Sequence, residues 1–319
     1  MGRNASNHNL QQAKKAKSDE FYTQYCDIER ELQYYEKQFQ GKIVYCNCDD
    51  PRNSNFVRYF IDNFDKLGLK KLIASCYQES TVDLFHPIIR KGFYCEYLGD
   101  GKPVELVSLR DNGDFRSSEC VNLLKSADVV VTNPPFSLFR EFMAQIVKYG
   151  KEFLIIGNIN AITYKEIFEL IQQDKIWLGV NLGRGISGFI VPEDYELYGT
   201  ETRVDELGNR IVSTNNCLWL TNLDLSKRRM DIPLTELYVG NEQKYPKYDN
   251  CDGINVDKTL NIPKDYFGLM GVPITFLHKY NPNQFEIIRF RKGDDGKDLS
   301  IRGKCPYFRI LVRQRRKSI

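Results

Sequence analysis

Ala127-Asp128-Val129-Val130-Val131-Thr132-Asn133-Pro134-Pro135-Phe136 joins a run of β-branched residues to a stiff polar turn. The run is long enough for one buried strand. Neither proline can donate to a ladder or sit in a helix interior, so the strand ends at Asn133. An amphipathic helix pattern follows at once, with Phe139, Phe142, Met143, Ile146 and Val147 at three- and four-residue steps. Strand, rigid tetrapeptide and helix are how an open α/β sheet presents a functional loop at the carboxyl edge of a strand. A plain structural turn has the same local signature, because Asn-Pro is an ordinary turn signal. The flanking sequence has to separate the two.

Working outward, Lys42–Cys48 and Lys70–Tyr77 read as strands. The first breaks at Asp49-Asp50-Pro51-Arg52-Asn53-Ser54-Asn55, and a helix from about Ser54 to Leu67 buries Phe56, Val57, Phe60, Ile61 and Phe64. Nearer the start, a helix from about Asp27 to Phe39 puts Ile28, Leu32, Tyr35 and Phe39 on one face. The aromatic pair Phe21-Tyr22 before it can act as a hydrophobic staple. Gly92–Leu98 and Val104–Ser108 form a hairpin-like pair turning at Gly99-Asp100-Gly101, and Glu119–Lys125 a short helix. On the other side, the apolar run Glu152–Asn158 suits a buried parallel strand. A helix from about Tyr164 to Gln173 and strands at Lys175–Val180 and Cys217–Thr221 follow. Residues 181–213, rich in Gly, charge and turn formers, are expected to be a long loop or lid. The alternation stops near Leu223, and short strands, prolines and turns take over. The expected architecture is α/β: a Rossmann-like doubly wound sheet over 18–222, a mobile basic arm at 1–17, and a smaller β-rich C-terminal region over 223–319.

With 42% hydrophobic and 27% charged residues in 319, the chain can fill a large core or a core plus a smaller domain. It has no apolar run of membrane-spanning length and no secretory h-region, so the cytosol is the expected compartment. Nine cysteines without a C-x-x-C pair, and three scattered histidines, argue against a zinc site and for free thiols. The net charge of +3 is small but uneven. Lys14, Lys15 and Lys17 cluster near the start, and Arg313, Arg315 and Arg316 lie in a tail from Arg302 without side-chain carboxylates. Such clusters suit a phosphate backbone; solvated tails have the same composition.

In doubly wound sheets ligands sit outside the carboxyl ends of the strands. Four loops converge there: Asp49–Asn55, Ser75–Gln78, Gly113–Arg116 and Asn133–Phe136. No G-x-G-x-x-G or G-x-x-x-x-G-K-[ST] pattern is present, which disfavours a dinucleotide or a P-loop nucleotide. Two carboxylates beside an Asn/Ser helix start suit a ligand bearing an ammonium and hydroxyls, and S-adenosylmethionine is such a ligand. The Asn133 amide oxygen and the Pro134 carbonyl can both accept hydrogen bonds from an exocyclic amine. That aims the nitrogen lone pair at a sulfonium methyl. Pro134 and Pro135 hold the carbonyl still, and Phe136 offers a face for a base, a contact worth ~1–3 kcal/mol. A base inside a duplex reaches such a pocket only by flipping out.

Asp19-Glu-Phe-Tyr-Thr23, Tyr45-Cys-Asn-Cys-Asp-Asp-Pro51 with Ser54-Asn55-Phe56, and Asn133-Pro-Pro-Phe136 together resemble the EcoRI-type adenine-specific DNA methyltransferases. Gly271-Val-Pro-Ile-Thr-Phe-Leu277, Tyr280-Asn-Pro282 and Gln284-Phe-Glu-Ile287 are similar to that family's C-terminal part. The resemblance spans roughly residues 17–313. It implies methyl transfer from S-adenosylmethionine to adenine N6 in double-stranded DNA, with target recognition at the C-terminus and a cognate restriction endonuclease as a possible partner. It also implies cofactor roles. Phe21, Tyr22 and Thr23 would border the methionine end, and Asp49, Asp50, Pro51 and Asn55 form the first cofactor loop. Ser75 and Tyr77 stand where related enzymes carry a ribose-binding acid, and Asp114 and Phe115 match the adenine-reading position. Rival readings are methylation of RNA adenine or protein glutamine, a non-catalytic nucleic-acid-binding module, and a structural α/β scaffold.

Overall fold

The β-branched run Val129–Thr132 lies in the middle of a sheet, with no side chain exposed. The computed structural model describes residues 22–78, 81–82, 87–88, 90–181, 186–191, 202–206, 208–213 and 216–316. Lys14, Lys15, Lys17 and Phe21 lie outside the described residues. The chain divides into two compact units, one reaching Tyr164 and resuming over Leu178–Asp224, the other made of Lys165–Trp177 and the chain from Leu225 onward.

In the first unit the elements are β1 (Tyr22–Thr23), α1 (Tyr25–Leu32), β2 (Ile43–Cys46), α2 (Asn55–Asp62), α3 (Phe64–Leu67) and β3 (Lys71–Cys76). The short pair β4 (Thr81–Val82) and β5 (Pro87–Ile88) precedes β6 (Phe93–Tyr97), β7 (Val107–Ser108), α4 (Ser118–Ser126), β8 (Val129–Thr132), α5 (Phe139–Lys148) and β9 (Glu152–Asn158). Then come β10 (Trp177–Leu178), β11 (Phe189–Val191), β12 (Thr202–Val204), β13 (Arg210–Val212) and β14 (Cys217–Thr221). Among the described residues, eight of these strands form one mixed sheet in the order β10-β14-β9-β8-β2-β3-β6-β7. The inner strands β9, β8, β2 and β3 are parallel, with Val44 opposite Leu72 and Val129, and Thr132 opposite Ile155. β14 and β6 flank them antiparallel. Strands buried on both faces read as continuous apolar runs, which is why β8 and β9 were legible. Each fully buried Val contributes about 1.5–3 kcal/mol. From β2 the chain first steps to β3 on one side, then returns to β8 and β9 on the other. The order therefore reverses between β2 and β8.

The helices follow from capping and spacing. Ser54 caps α2, its hydroxyl accepting from Phe56 N (3.1 Å) and Val57 N (3.4 Å), and Phe56, Val57, Tyr59 and Phe60 are buried. Gly68, in the left-handed region at φ +60°, ends α3. In α5, Phe139, Phe142, Met143 and Ile146 are buried but Val147 is exposed, so the apolar stripe is narrower than its sequence suggested. The helix expected over 27–39 stops at Leu32 and gives way to a 3₁₀ turn at Glu36–Gln38. All four of its apolar residues are nevertheless buried.

Residues 181–213 differ from a structureless loop. Their described parts supply β11, β12 and β13, which join β1 in an antiparallel sheet ordered β1-β11-β13-β12. Three-residue strands interrupted by turn formers leave too short a period-2 pattern to stand out in sequence.

The second unit contains α6 (Lys165–Gln172) and a sheet of β15 (Gly253–Asn255), β16 (Leu269–Pro273), β18 (Arg309–Gln314) and β17 (Phe285–Phe290), in that spatial order. β15 and β16 run parallel; the other pairs are antiparallel, with a register shift between Ile287 and Arg289. Phe168 of α6 stacks on Phe290, and Gln172 Nε2 donates to the carbonyls of Ile287 (3.1 Å) and Ile288 (2.9 Å) beside that shift. Among the described residues, no helix is long and apolar enough to cross a membrane.

Candidate active site

The site is built around one carboxylate. Beyond β2 the chain turns so that Asp49 N donates to the Ser75 carbonyl (3.1 Å), hooking the first loop onto β3. Asp49 Oδ1 accepts from Ser54 Oγ (2.6 Å) and Oδ2 from Thr132 Oγ1 (2.5 Å). Ser54 is the cap of α2 and Thr132 is the last residue of β8, directly before Asn133. Asp49 thus ties the end of β2, the start of α2 and the mouth of β8 together at the point where strand order reverses. Burial pushes its carboxyl up to about 6, against the two hydroxyl hydrogen bonds and with help from Asp50. Each oxygen accepts from one protein hydroxyl, so Asp49 braces the junction.

Its neighbour Asp50 holds Arg52 through Nε (2.9 Å) and Nη2 (2.6 Å), and the Arg52 guanidinium lies 4.5 Å from the Phe93 ring centre. Pro51, half-buried, sits between them. Asn55 Nδ2 reaches back to the Thr23 carbonyl (2.9 Å), which brings β1 against the same loop. The Thr23 hydroxyl is buried without a hydrogen-bond partner among the described residues. An orphan hydroxyl beside the first loop is one that a polar ligand group could satisfy.

Farther along the edge the picture is mixed. Ser75 lies inside β3, fully buried, with its hydroxyl 2.7 Å from Tyr45 Oη, so its side chain belongs to the core and not to a loop. Tyr77 is exposed at the strand end. Asp114 grips Arg116 through both oxygens (2.9 and 2.7 Å), Arg116 also reaches Glu141 (2.7 Å), and this pairing holds the Asp114 carboxyl below its ordinary value. The Phe115 ring is buried edge-on against Phe142 (5.3 Å between centres). Gly113, at φ +82°, packs so closely on the Cys76 carbonyl that a Cβ would collide with it. That approach seats the 111–114 loop at the end of β3.

Asn133 is half-buried, Pro134 buried, and Pro135 and Phe136 half-buried. Phe136 meets Phe189 of β11 edge-on, 6.4 Å between ring centres. The strap carrying β11 is held by two buried acids on α1. Glu31 accepts from Val180 N (2.7 Å), Asn181 N (2.8 Å), Asn181 Nδ2 (2.9 Å) and Tyr35 Oη (2.9 Å). Asp27 accepts from Ser187 N (2.7 Å) and Oγ (2.9 Å). Burial raises both carboxyls against these hydrogen bonds.

The family model for the adenine-specific methyltransferase EcoRI matches residues 9–315. The chain belongs to that family. This adenine-specific DNA methyltransferase is 65% identical to the Type II methyltransferase M.EcoRI of Escherichia coli, over 99% of each chain. It is 37% identical to M.MpnI of Mycoplasma pneumoniae, over 98% of this chain and all of the relative. It is likewise 37% identical to M.MgeORF184P of Mycoplasma genitalium, over 96% and 99%. No solved structure is significantly similar to it.

The methyltransferase thus brings Thr23, Asp49, Asp50, Pro51, Asn55 and the β8 mouth together in one network. Ser75 and Phe115 turn into the core instead. Arg313, Arg315 and Arg316 belong to the other unit, at and just beyond the end of β18. Sequence reasoning missed Thr132, Phe189, Asp27 and Glu31 as supporting residues. For the two acids a signal was present: both fall in the stripe of α1 that also holds Ile28 and Leu32. Acids there mark a buried polar anchor.

Proposed function

We propose that the methyltransferase moves a methyl group from S-adenosylmethionine to N6 of an adenine flipped out of duplex DNA, and that its eight-stranded sheet is a Rossmann-like doubly wound methyltransferase core. The observation that carries this is the Thr132–Asp49–Ser54 brace. It fixes Asn133-Pro134-Pro135-Phe136 to the first loop at the strand-order reversal, where such sheets take ligands. When bound, S-adenosylmethionine supplies an electrophilic methyl on sulfonium. The Thr23 hydroxyl, the Asp50 loop and Asn55 would line its amino-acid side, and Tyr77 and Asp114 the far side. Asn133 Oδ1 and the Pro134 carbonyl accept from the adenine amine, drawing its lone pair out of ring conjugation and aiming it. Both prolines remove backbone freedom that would blur that aim. Phe136, backed by Phe189, stacks against the base. The second unit, with Arg313, Arg315 and Arg316, contacts the DNA, and the Type II names of the relatives support a partnership with a restriction endonuclease in the cytoplasm.

The test is transfer of tritiated methyl from S-adenosylmethionine to unmethylated DNA, RNA and bulk protein offered separately. Label confined to DNA is expected. Label in RNA or protein alone would replace the substrate, and label in none would remove the reading.

A further inference from the structure

The second unit exposes a short turn just beyond Leu299, which is buried with Tyr248, Cys251 and Leu311, and Ile301, which packs against that cluster. Ile301 and Lys304 exchange both backbone hydrogen bonds (2.9 and 3.0 Å). Arg302 (φ +52°) and Gly303 (φ +71°) form the turn between them in consecutive left-handed conformations. A non-glycine residue in that region is uncommon and needs outside support. Asp249 gives it: its carboxylate accepts from Arg302 N (3.0 Å) and Gly303 N (2.8 Å), and its own N–H donates to the Ser300 carbonyl (2.8 Å). The foot of the loop is held by Arg309. That buried guanidinium donates to Asn255 Oδ1 (2.9 Å) and the Tyr307 carbonyl (3.4 Å) and pairs with Asp257 (3.3 Å). One side is held by Arg291, whose guanidinium lies 3.8 Å from the Phe308 ring centre.

What this scaffold presents is a set of side chains that a core would not leave outside. Tyr307 is 78% exposed and Phe308 51% exposed. Arg302 and Lys304 are exposed, and the segment from Leu299 to Arg309 has no carboxylate. The acids nearby are already engaged: Asp249 under the turn, Asp298 beside Arg291 (3.6 Å), and Asp295 on Asn250 (3.1 Å). Anchoring at tip, foot and flank means that little ordering is left to be done on binding, which favours affinity. Cations beside an exposed aromatic ring, here Tyr307, suit a polyanion with stackable or wedgeable bases.

We propose that Arg302–Phe308 is a rigid finger seated in a groove of duplex DNA, with Arg302 and Lys304 on phosphates and the Tyr307 ring against the bases. This rests on the DNA substrate proposed above. The sequence pointed to the Arg313–Arg316 tail, but Arg315 Nε is tied to the Pro282 carbonyl (2.9 Å) and Arg316 lies over Phe267. The finger offers the less encumbered cations.

The experiment uses the full-length enzyme and a fluorescent duplex carrying the site that sequencing of wild-type-modified DNA identifies. Its affinity is read by anisotropy over a salt series, with S-adenosylmethionine binding measured in parallel. The double variant Arg302→Ala/Lys304→Ala should raise the DNA Kd roughly tenfold or more and flatten the log–log salt slope by about two phosphates' worth. Tyr307→Ala should raise the Kd by about tenfold, while Tyr307→Phe, which keeps the ring, stays near wild type. Cofactor affinity should not change in any of them. Wild-type DNA affinity and salt slope in the alanine variants would overturn the proposal, as would equal damage from Tyr307→Phe and Tyr307→Ala. A wild-type enzyme that labels RNA or protein but not DNA fails one step earlier, against the substrate itself.

Discussion

Asp49 is buried at a junction where its charge is costly, yet it is the residue that three elements share. Its folded-state carboxyl titrates near 6 because of burial, above the ordinary carboxylate value of 3.8. The native state therefore holds the proton more tightly than the unfolded chain. Its contribution is fully present below about pH 4 and is lost as pH rises through 6, ~3 kcal/mol at most. Urea unfolding of wild type and Asp49→Asn between pH 4 and 7 tests this: the variant should lack that share of the decline, and identical pH slopes would refute it. Phe136→Ala should raise the KM for DNA about tenfold or more and leave cofactor affinity within twofold, measured by initial rates and calorimetry. Equal losses in both would contradict a stacking role. At this scale the sequence was legible where residue type fixes local structure, as at the strand end before Asn133-Pro134 and the helix start at Ser54. It was opaque where geometry does: Thr132 reads as one more β-branched residue, and nothing in the text of the strand ending at Tyr77 shows that the Ser75 hydroxyl meets Tyr45 inside the sheet.

The elements around the site depend on a few close approaches. Glu31 satisfies two backbone N–H groups of the 180–181 turn, so Glu31→Ala should cost roughly 2–4 kcal/mol in urea unfolding by leaving buried donors bare. A loss under 1 kcal/mol would mean that the strap is held elsewhere. Gly113→Ala forces a Cβ toward the Cys76 carbonyl at a positive φ, and should lower the melting temperature and weaken S-adenosylmethionine binding together. Unchanged cofactor affinity would detach the 111–114 loop from the site. Long, strongly patterned elements such as β9 and α5 were readable from the chain. The 181–213 strands were not, because their ordering comes from β1 and from two acids some 150 residues earlier (Glu31 to Asn181).

Across the whole molecule, the mixed α/β class and the buried parallel strand β9 followed from apolar runs alternating with helical periodicity, whereas the order of the strands is seen only in the structure. The C-terminal sheet was visible only as β-rich text, since its pairings join residues far apart in the chain, such as Met270 with Val312. If the brace, β1 and the 111–114 loop form one cofactor edge, S-adenosylmethionine at about a hundred times its Kd should add roughly 2.7 kcal/mol to stability. That is about 4 °C in a thermal scan; no shift would contradict a cofactor site on this unit. The central claim is that the loop at the end of β8 presents adenine N6 to the methyl donor. Its most direct test is nucleoside analysis by mass spectrometry of DNA treated with wild type and Asn133→Ala at matched cofactor occupancy. The wild type should yield N6-methyladenine, and the variant's yield should fall by about a thousandfold. A different methylated base, or an Asn133→Ala enzyme as active as wild type, would contradict it.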